Sequence, residues 1–255
     1  MNYKFTIKDL GNVNEIDEDK RLRERVGVLF QKQQKAELSP SEEKELGRLL
    51  REQRFSINII KLFERAEGGD PNVIEVSMND GKSCEVLPTD TEEKTIFTYG
   101  LGGCYATLVY TEHADGRRAA VLTHYSPTNI SANIAELRRL IAQKPSMKES
   151  ITRQVVTILG KGEYVQDTTT GKWELKITNS DSQHNVELLI LAIKAELGDD
   201  IEVKQDIEVK AYDAKQIIGI KDRGVFVVRI PPTERPTYQT WFSSGELGKS
   251  FNDSL

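Results

Sequence analysis

Apolar and polar residues change period several times along the chain, and each change marks a predicted element. Residues 3–9 alternate as a half-buried strand does. From about Asp17 to Ala36, Leu22, Val26, Leu29, Phe30 and Gln33 recur near the helical period. Ser39-Pro40-Ser41-Glu42 then opens a second helix, with Ser39 as cap, Pro40 in the first turn and Glu42 closing a capping box. Its apolar positions Leu46, Leu49, Leu50, Ile57, Ile60 and Phe63 run to Gly68-Gly69, a stop signal. Residues 17–67 therefore read as a helical hairpin whose charges form a solvated face.

After Gly69-Asp70-Pro71 the period changes to that of strands, at 72–78, 83–87, 104–112 and 118–125. Asp115-Gly116 is a hairpin turn between the last two. Residues 130–143 are an amphipathic helix, 155–159 a buried strand, 173–178 a shorter strand and 185–197 a helix ending before Gly198. Strands at 207–213 and 224–230 follow. From Pro231 the chain is rich in Pro, Ser, Thr and Gly, so 231–255 is expected to be a polar tail. The predicted organisation is a strand plus helical hairpin over 1–69, an α+β domain over 70–230, and that tail.

Composition narrows the function. With 35 Lys+Arg against 40 Asp+Glu, the net charge of −5 gives no electrostatic footprint for nucleic acid or for an anionic membrane. Two cysteines make neither a disulfide framework nor a four-thiolate zinc site, so a reducing compartment is expected. No apolar run approaches the roughly 20 residues that span a bilayer. Met1–Phe5 lacks the apolar core of a signal peptide, and a cytoplasmic location is expected. Cys84 and His113 show no paired metal-ligand spacing, and Cys84 reads as a buried strand residue.

The strongest local signal is Phe97-Thr98-Tyr99-Gly100-Leu101-Gly102-Gly103-Cys104. As a phosphate loop it fails, because no Lys-Ser/Thr follows the glycines and the next segment is a strand, not a helix. It reads better as a sharp turn displaying Cys104 at the mouth of a strand, with backbone N–H groups such as those of Gly103 and Cys104 facing a developing oxyanion. A nucleophilic Cys needs a base, and only three histidines exist. His113 lies at the far end of Cys104's own strand, ~30 Å away by strand rise. His184 sits at a polar helix start. His124 ends the strand that returns from the Asp115-Gly116 turn, so hairpin geometry selects it. Thr98, six residues before Cys104, is the candidate to orient the imidazole, and Tyr99 and Tyr125 are candidate walls. Taken without function, Cys104 is a small buried residue and His124 a strand-end surface residue.

The segment Phe97-Thr98-Tyr99, Leu101 and Gly103-Cys104 resembles the catalytic stretch of the Burkholderia lethal factor type of toxin, grouped with cytotoxic necrotizing factor and the chemotaxis receptor deamidase in a Cys–His deamidase superfamily. In the lethal factor and the chemotaxis deamidase a Thr precedes the Cys by the same six residues that separate Thr98 from Cys104. Leu122-Thr123-His124, a helix, and then Val156-Thr157-Ile158-Leu159-Gly160 is similar to protein N-terminal asparagine amidohydrolases. The resemblance covers about 95–230; Gly102 stands where a Ser is often found, and the 20-residue interval from Cys104 to His124 is longer than the group's.

The resemblance implies β-sandwich-like mixed sheets flanked by helices, and hydrolysis of a protein glutamine side-chain amide. Cys104 would be nucleophile, His124 base, and Thr98 orienter, with Gly102 and Gly103 at the oxyanion turn and Tyr99, Leu101 and Tyr125 as pocket residues. The partner would be a substrate protein, no cofactor is required, and a bacterial effector delivered into a host cell is one setting. An N-terminal Asn/Gln amidohydrolase and a non-catalytic interaction protein on the same fold are the alternatives. The 17–67 hairpin would be a docking element or lid, or simply a pair burying one apolar stripe.

Overall fold

The nearly unbroken apolar runs at 105–113 and 118–125 become two strands buried on both faces, and the rest of the domain is arranged around them. The structure is a computed structural model and describes residues 25, 27–29, 31–35, 37–143, 150–198, 205–213, 224–234 and 236–241. The expected strand at 3–9 and much of the expected first helix lie outside the described residues. The chain divides into two compact units, one ending at Asp70 and the other beginning at Pro71.

In the first unit, residues 25, 27–29 and 31–34 are helical, and helix α1 runs from Pro40 to Glu67. Its capping box forms as the sequence predicts. Ser39 Oγ accepts from the Glu42 N–H, while the Glu42 carboxylate accepts from the Ser39 N–H at 3.0 Å. Lys32 Nζ, 2.6 Å away, and the Ser39 contacts hold the Glu42 carboxyl well below its ordinary range, at about 2.

The second unit is α+β. A smaller sheet holds β1 (Val73–Val76), β3 (Lys94–Leu101), β9 (Gly224–Ile230) and β10 (Thr237–Trp241), in the order β1-β3-β9-β10. The larger sheet runs β2 (Asp80–Val86), β5 (Arg118–Tyr125), β4 (Tyr105–His113), β6 (Ile151–Gln166) and β7 (Trp173–Lys176), and β8 (Gln205–Asp213) pairs in parallel with β6. Strand alternation sends Ala106, Leu108, Tyr110, Ala120 and Leu122 toward Ile96, Phe226 and Val228 of the smaller sheet. The opposite faces, with Tyr105, Val109, Ala119 and Val121, meet α2 (Ile130–Ala142) and α3 (Ser180–Leu197). The result is sheet on sheet with helices on one outer face, the architecture expected from the sequence.

Beyond shifts in strand ends, of which β6 at 151–166 against the expected 155–159 is the largest, three elements differ from the sequence reading. Lys94–Leu101 is a full strand, which the glycines at 100, 102 and 103 disguise as pure turn. The expected polar tail contains β10, whose residues Thr237 to Trp241 pair antiparallel with Arg229 to Val225. Pro231, Pro232 and Pro236 give the loop signal there, but Thr-Tyr-Gln-Thr-Trp is a run of strand formers. Helix α3 starts five residues before the expected 185, because Asn179 Oδ1 accepts from the Asp181 and Ser182 N–H groups and the first turn is polar.

Candidate active site

One end of the core packed between the two sheets collects the residues with chemistry. On β5, His124 lies directly opposite Ala106 of β4, and Cys104 precedes the first residue of β4. Cys104 is thus two residues from His124's partner and packs against the same inter-sheet core. Regular strands hold such diagonal neighbours roughly 7–8 Å apart. The other histidines are remote in role and position: His113 ends β4 at its far end, with Nε2 3.1 Å from Thr111 Oγ1, and His184 is exposed near the start of α3.

Thr98 comes from the opposite sheet. Its Oγ1 lies 2.8 Å from His124 Nδ1 and 2.7 Å from the Val76 carbonyl oxygen. A threonine hydroxyl has one proton to give, and a carbonyl can only accept. Thr98 therefore donates to Val76 and accepts from His124, which carries its proton on Nδ1. Nε2 is left bare, and it is buried with no hydrogen-bond partner among the described residues. His124 is 1% exposed, and burial holds its pKa down to about 4, so the ring is neutral at pH 7. Burial likewise pushes the half-buried Cys104 thiol up. Both shifts favour uncharged forms, so the resting pair is thiol and imidazole, not thiolate and imidazolium.

The turn before Cys104 depends on glycine. Gly103 has φ 140°, a conformation that a side chain rarely permits. At Gly100 (φ 77°) the β3–β9 register shifts, and this bulge turns Leu101 into the inter-sheet core. Tyr212 of β8, 1% exposed, reaches this turn: its Oη accepts from the Gly103 N–H at 2.8 Å and donates to the Cys104 carbonyl at 2.6 Å. Burial and the neighbouring Cys104 thiol push the phenol well above its ordinary pKa, so it remains a donor.

Several expected roles change with this geometry. The Gly103 N–H, expected to face an oxyanion, is taken by Tyr212, and the Gly102 N–H donates to Gly100 O at 2.7 Å. That leaves the Cys104 N–H as the turn's candidate oxyanion donor. Leu101 is 1% exposed and belongs to the core, not to a pocket wall. Tyr125 follows His124, so strand alternation turns it to the other face, where Glu136 and Arg139 of α2 act on its hydroxyl. Tyr99 follows Thr98 and is likewise turned away from the inter-sheet face that carries Thr98. Cys84 is buried at 4% within the inter-sheet core. Neither Tyr212 nor the Val76 carbonyl carries a sequence signal linking it to Cys104 or His124. Both arrive by long-range strand pairing.

Among the described residues, no three His, Cys, Asp or Glu side chains converge as a metal site, and no helix is long and apolar enough to cross a membrane. No protein-family model matches the chain, and no curated protein matches it. Among solved structures, the chain is similar to the C-terminal domain of CNFy from Yersinia pseudotuberculosis, at 11% identity and a TM-score of 0.31. The match covers 70% of this chain and 59% of that one.

Proposed function

We propose that the protein is an amidohydrolase that deamidates glutamine side chains of a substrate protein, with Cys104 as nucleophile and His124 as general base. The observation that carries this reading is the Val76–Thr98–His124 relay: it fixes the proton on Nδ1 and leaves Nε2 bare and buried, on a residue whose strand partner Ala106 is two positions from Cys104. A ring so held has the right nitrogen free for a thiol proton, and the burial that keeps both groups neutral at rest must be relieved when substrate binds for the transfer to occur. Hydrogen bonds at such sites are often long without substrate and tighten only when it binds, so this reading requires Cys104 Sγ to come within reach of Nε2 in the substrate complex.

The reaction balances with these residues alone. The Cys104 thiol proton passes to His124 Nε2 as Sγ attacks the carboxamide carbon, and the Cys104 N–H stabilises the tetrahedral oxyanion. The C–N bond then breaks, and the nitrogen leaves as ammonia with the proton from His124. Water, deprotonated by His124, attacks the thioester; the carboxylate departs and the thiol is restored. Thr98 holds the ring through both steps.

The test is ammonia release from a glutamine-containing protein pool, with mass spectrometry locating each Gln-to-Glu conversion. Activity in the wild type that disappears in Cys104→Ala and in His124→Ala is the expected result. Full activity in either variant would overturn the assignment. Peptides with an N-terminal Asn, run beside internal-Gln substrates, separate protein deamidation from N-terminal amidohydrolysis.

A further inference from the structure

The two glycines before Cys104 leave the nucleophile's backbone with little of its own to hold it. Gly102 and Gly103 carry no side chain, and a glycine pair loses more conformational freedom on ordering than any other pair. Within the turn, the Gly102 N–H to Gly100 O bond fixes only the segment before Gly103. Misplacing a reacting group by about 1 Å can cost on the order of a hundredfold in rate, so a nucleophile on such a turn needs an external hold.

Tyr212 is placed to supply it. Its hydroxyl spans the Gly103–Cys104 peptide, accepting from the N–H on one side and donating to the carbonyl on the other, at 2.8 and 2.6 Å. The ring is buried in the inter-sheet core that Cys104 also touches. Behind it the frame is continuous: Tyr212 is opposite Lys161 of β6, and β6 is laddered to β4 with Leu159 opposite Ala106. We propose that Tyr212 is a positioning residue for Cys104, a clamp from β8 that fixes the glycine turn so that the thiol stays on the inter-sheet face beside His124.

The catalytic consequence rests on the amidohydrolase reading, but the clamp itself can be measured without it. Tyr212→Phe keeps the ring and removes only the hydroxyl. In the full chain, hydrogen exchange of the Gly103 amide is expected to quicken by about tenfold, the factor that one lost hydrogen bond of ordinary strength allows, while Leu108 and Val109 in β4 keep wild-type protection. Loosening the turn also admits water to the thiol. The pH midpoint of Cys104 alkylation by iodoacetamide, followed by peptide mass spectrometry, should then fall toward the ordinary ~8.5 of a free cysteine. Deamidation should lose about tenfold or more in kcat with KM within about twofold.

Unchanged protection of Leu108 and Val109 beside a quickened Gly103 amide separates this outcome from general destabilisation, which would quicken all three. Wild-type Gly103 exchange and a wild-type alkylation midpoint in Tyr212→Phe would overturn the clamp, whatever happens to kcat. Should the variant not fold, the wild type decides: a Gly103 amide exchanging as fast as an unstructured one refutes the proposal. Absence of deamidation in the wild type would remove the functional reading, while exchange and alkylation would still decide the clamp.

Discussion

Thr98→Val is the sharpest probe of the relay, because it changes shape little and removes one oxygen. That oxygen makes two buried contacts, to Val76 O at 2.7 Å and to His124 Nδ1 at 2.8 Å. Thr98 is fully buried and His124 is 1% exposed, so water does not replace the lost partner. Stranding a buried polar group costs about 1–3 kcal/mol, and two groups are affected, so the expected destabilisation is about 2–6 kcal/mol. For a chain of this size that is a fall of roughly 4–24 °C in Tm by differential scanning calorimetry. Thr98→Ser restores the oxygen and should recover most of the loss. The second readout is the ring itself: long-range nitrogen–proton NMR of the His124 ring should find the proton on Nδ1 in the wild type and a mixture of tautomers in Thr98→Val. Since only the Nδ1–H tautomer leaves Nε2 free to take the thiol proton, kcat should fall at least about tenfold. A wild-type ring protonated on Nε2, or a Thr98→Val protein with unchanged Tm and ring spectrum, would refute the reasoning.

Burial holds the folded-state pKa of His124 at about 4, so the unfolded chain binds the extra proton between there and its ordinary 6.5. His124 therefore destabilises nothing above pH 6.5, and as pH falls from 6.5 to 4 it removes stability up to about 3 kcal/mol; urea midpoints at pH 7 and pH 4.5 should differ accordingly, and His124→Gln should lose that part of the slope. Leu101→Ala should cost about 2–5 kcal/mol in urea unfolding, as for a core leucine; a change in KM at unaltered stability would instead return Leu101 to the pocket. Gly103→Ala meets no atom within 4 Å of the added Cβ, so its expected cost of about 1–3 kcal/mol is purely that of φ 140°, and an unfolding curve identical to wild type would show that the turn relaxes freely.

How much of this was legible in the sequence depends on how far apart the interacting residues are. The pairing of β4 with β5 follows from one turn signal and two apolar runs, and it carries His124 back to the Cys104 end by counting alone. The choice of His124 over His113 and His184 needed nothing more. Thr98 was legible as the residue to orient the His124 ring but not as a partner of Val76, because that bond depends on β1 and β3 pairing in parallel across 22 residues that hold β2. The face on which Tyr99 and Tyr125 lie was available in principle: each directly follows a residue assigned to the site, and a period of two sends it to the opposite side. Leu101 was not, since only the bulge at Gly100 decides which of the two residues turns inward. Tyr212 is the extreme case. It reaches Cys104 across 108 residues through β8 and β6, and its strand shows only that some tyrosine lies in a sheet. Local chemistry and hairpin register therefore set the candidate pair, while the groups that orient the imidazole and hold the thiol's turn come from strands whose order no local pattern specifies. For that reason Thr98 and Tyr212 are the more discriminating substitutions: each tests a contact that exists only if this sheet order is the one the chain adopts.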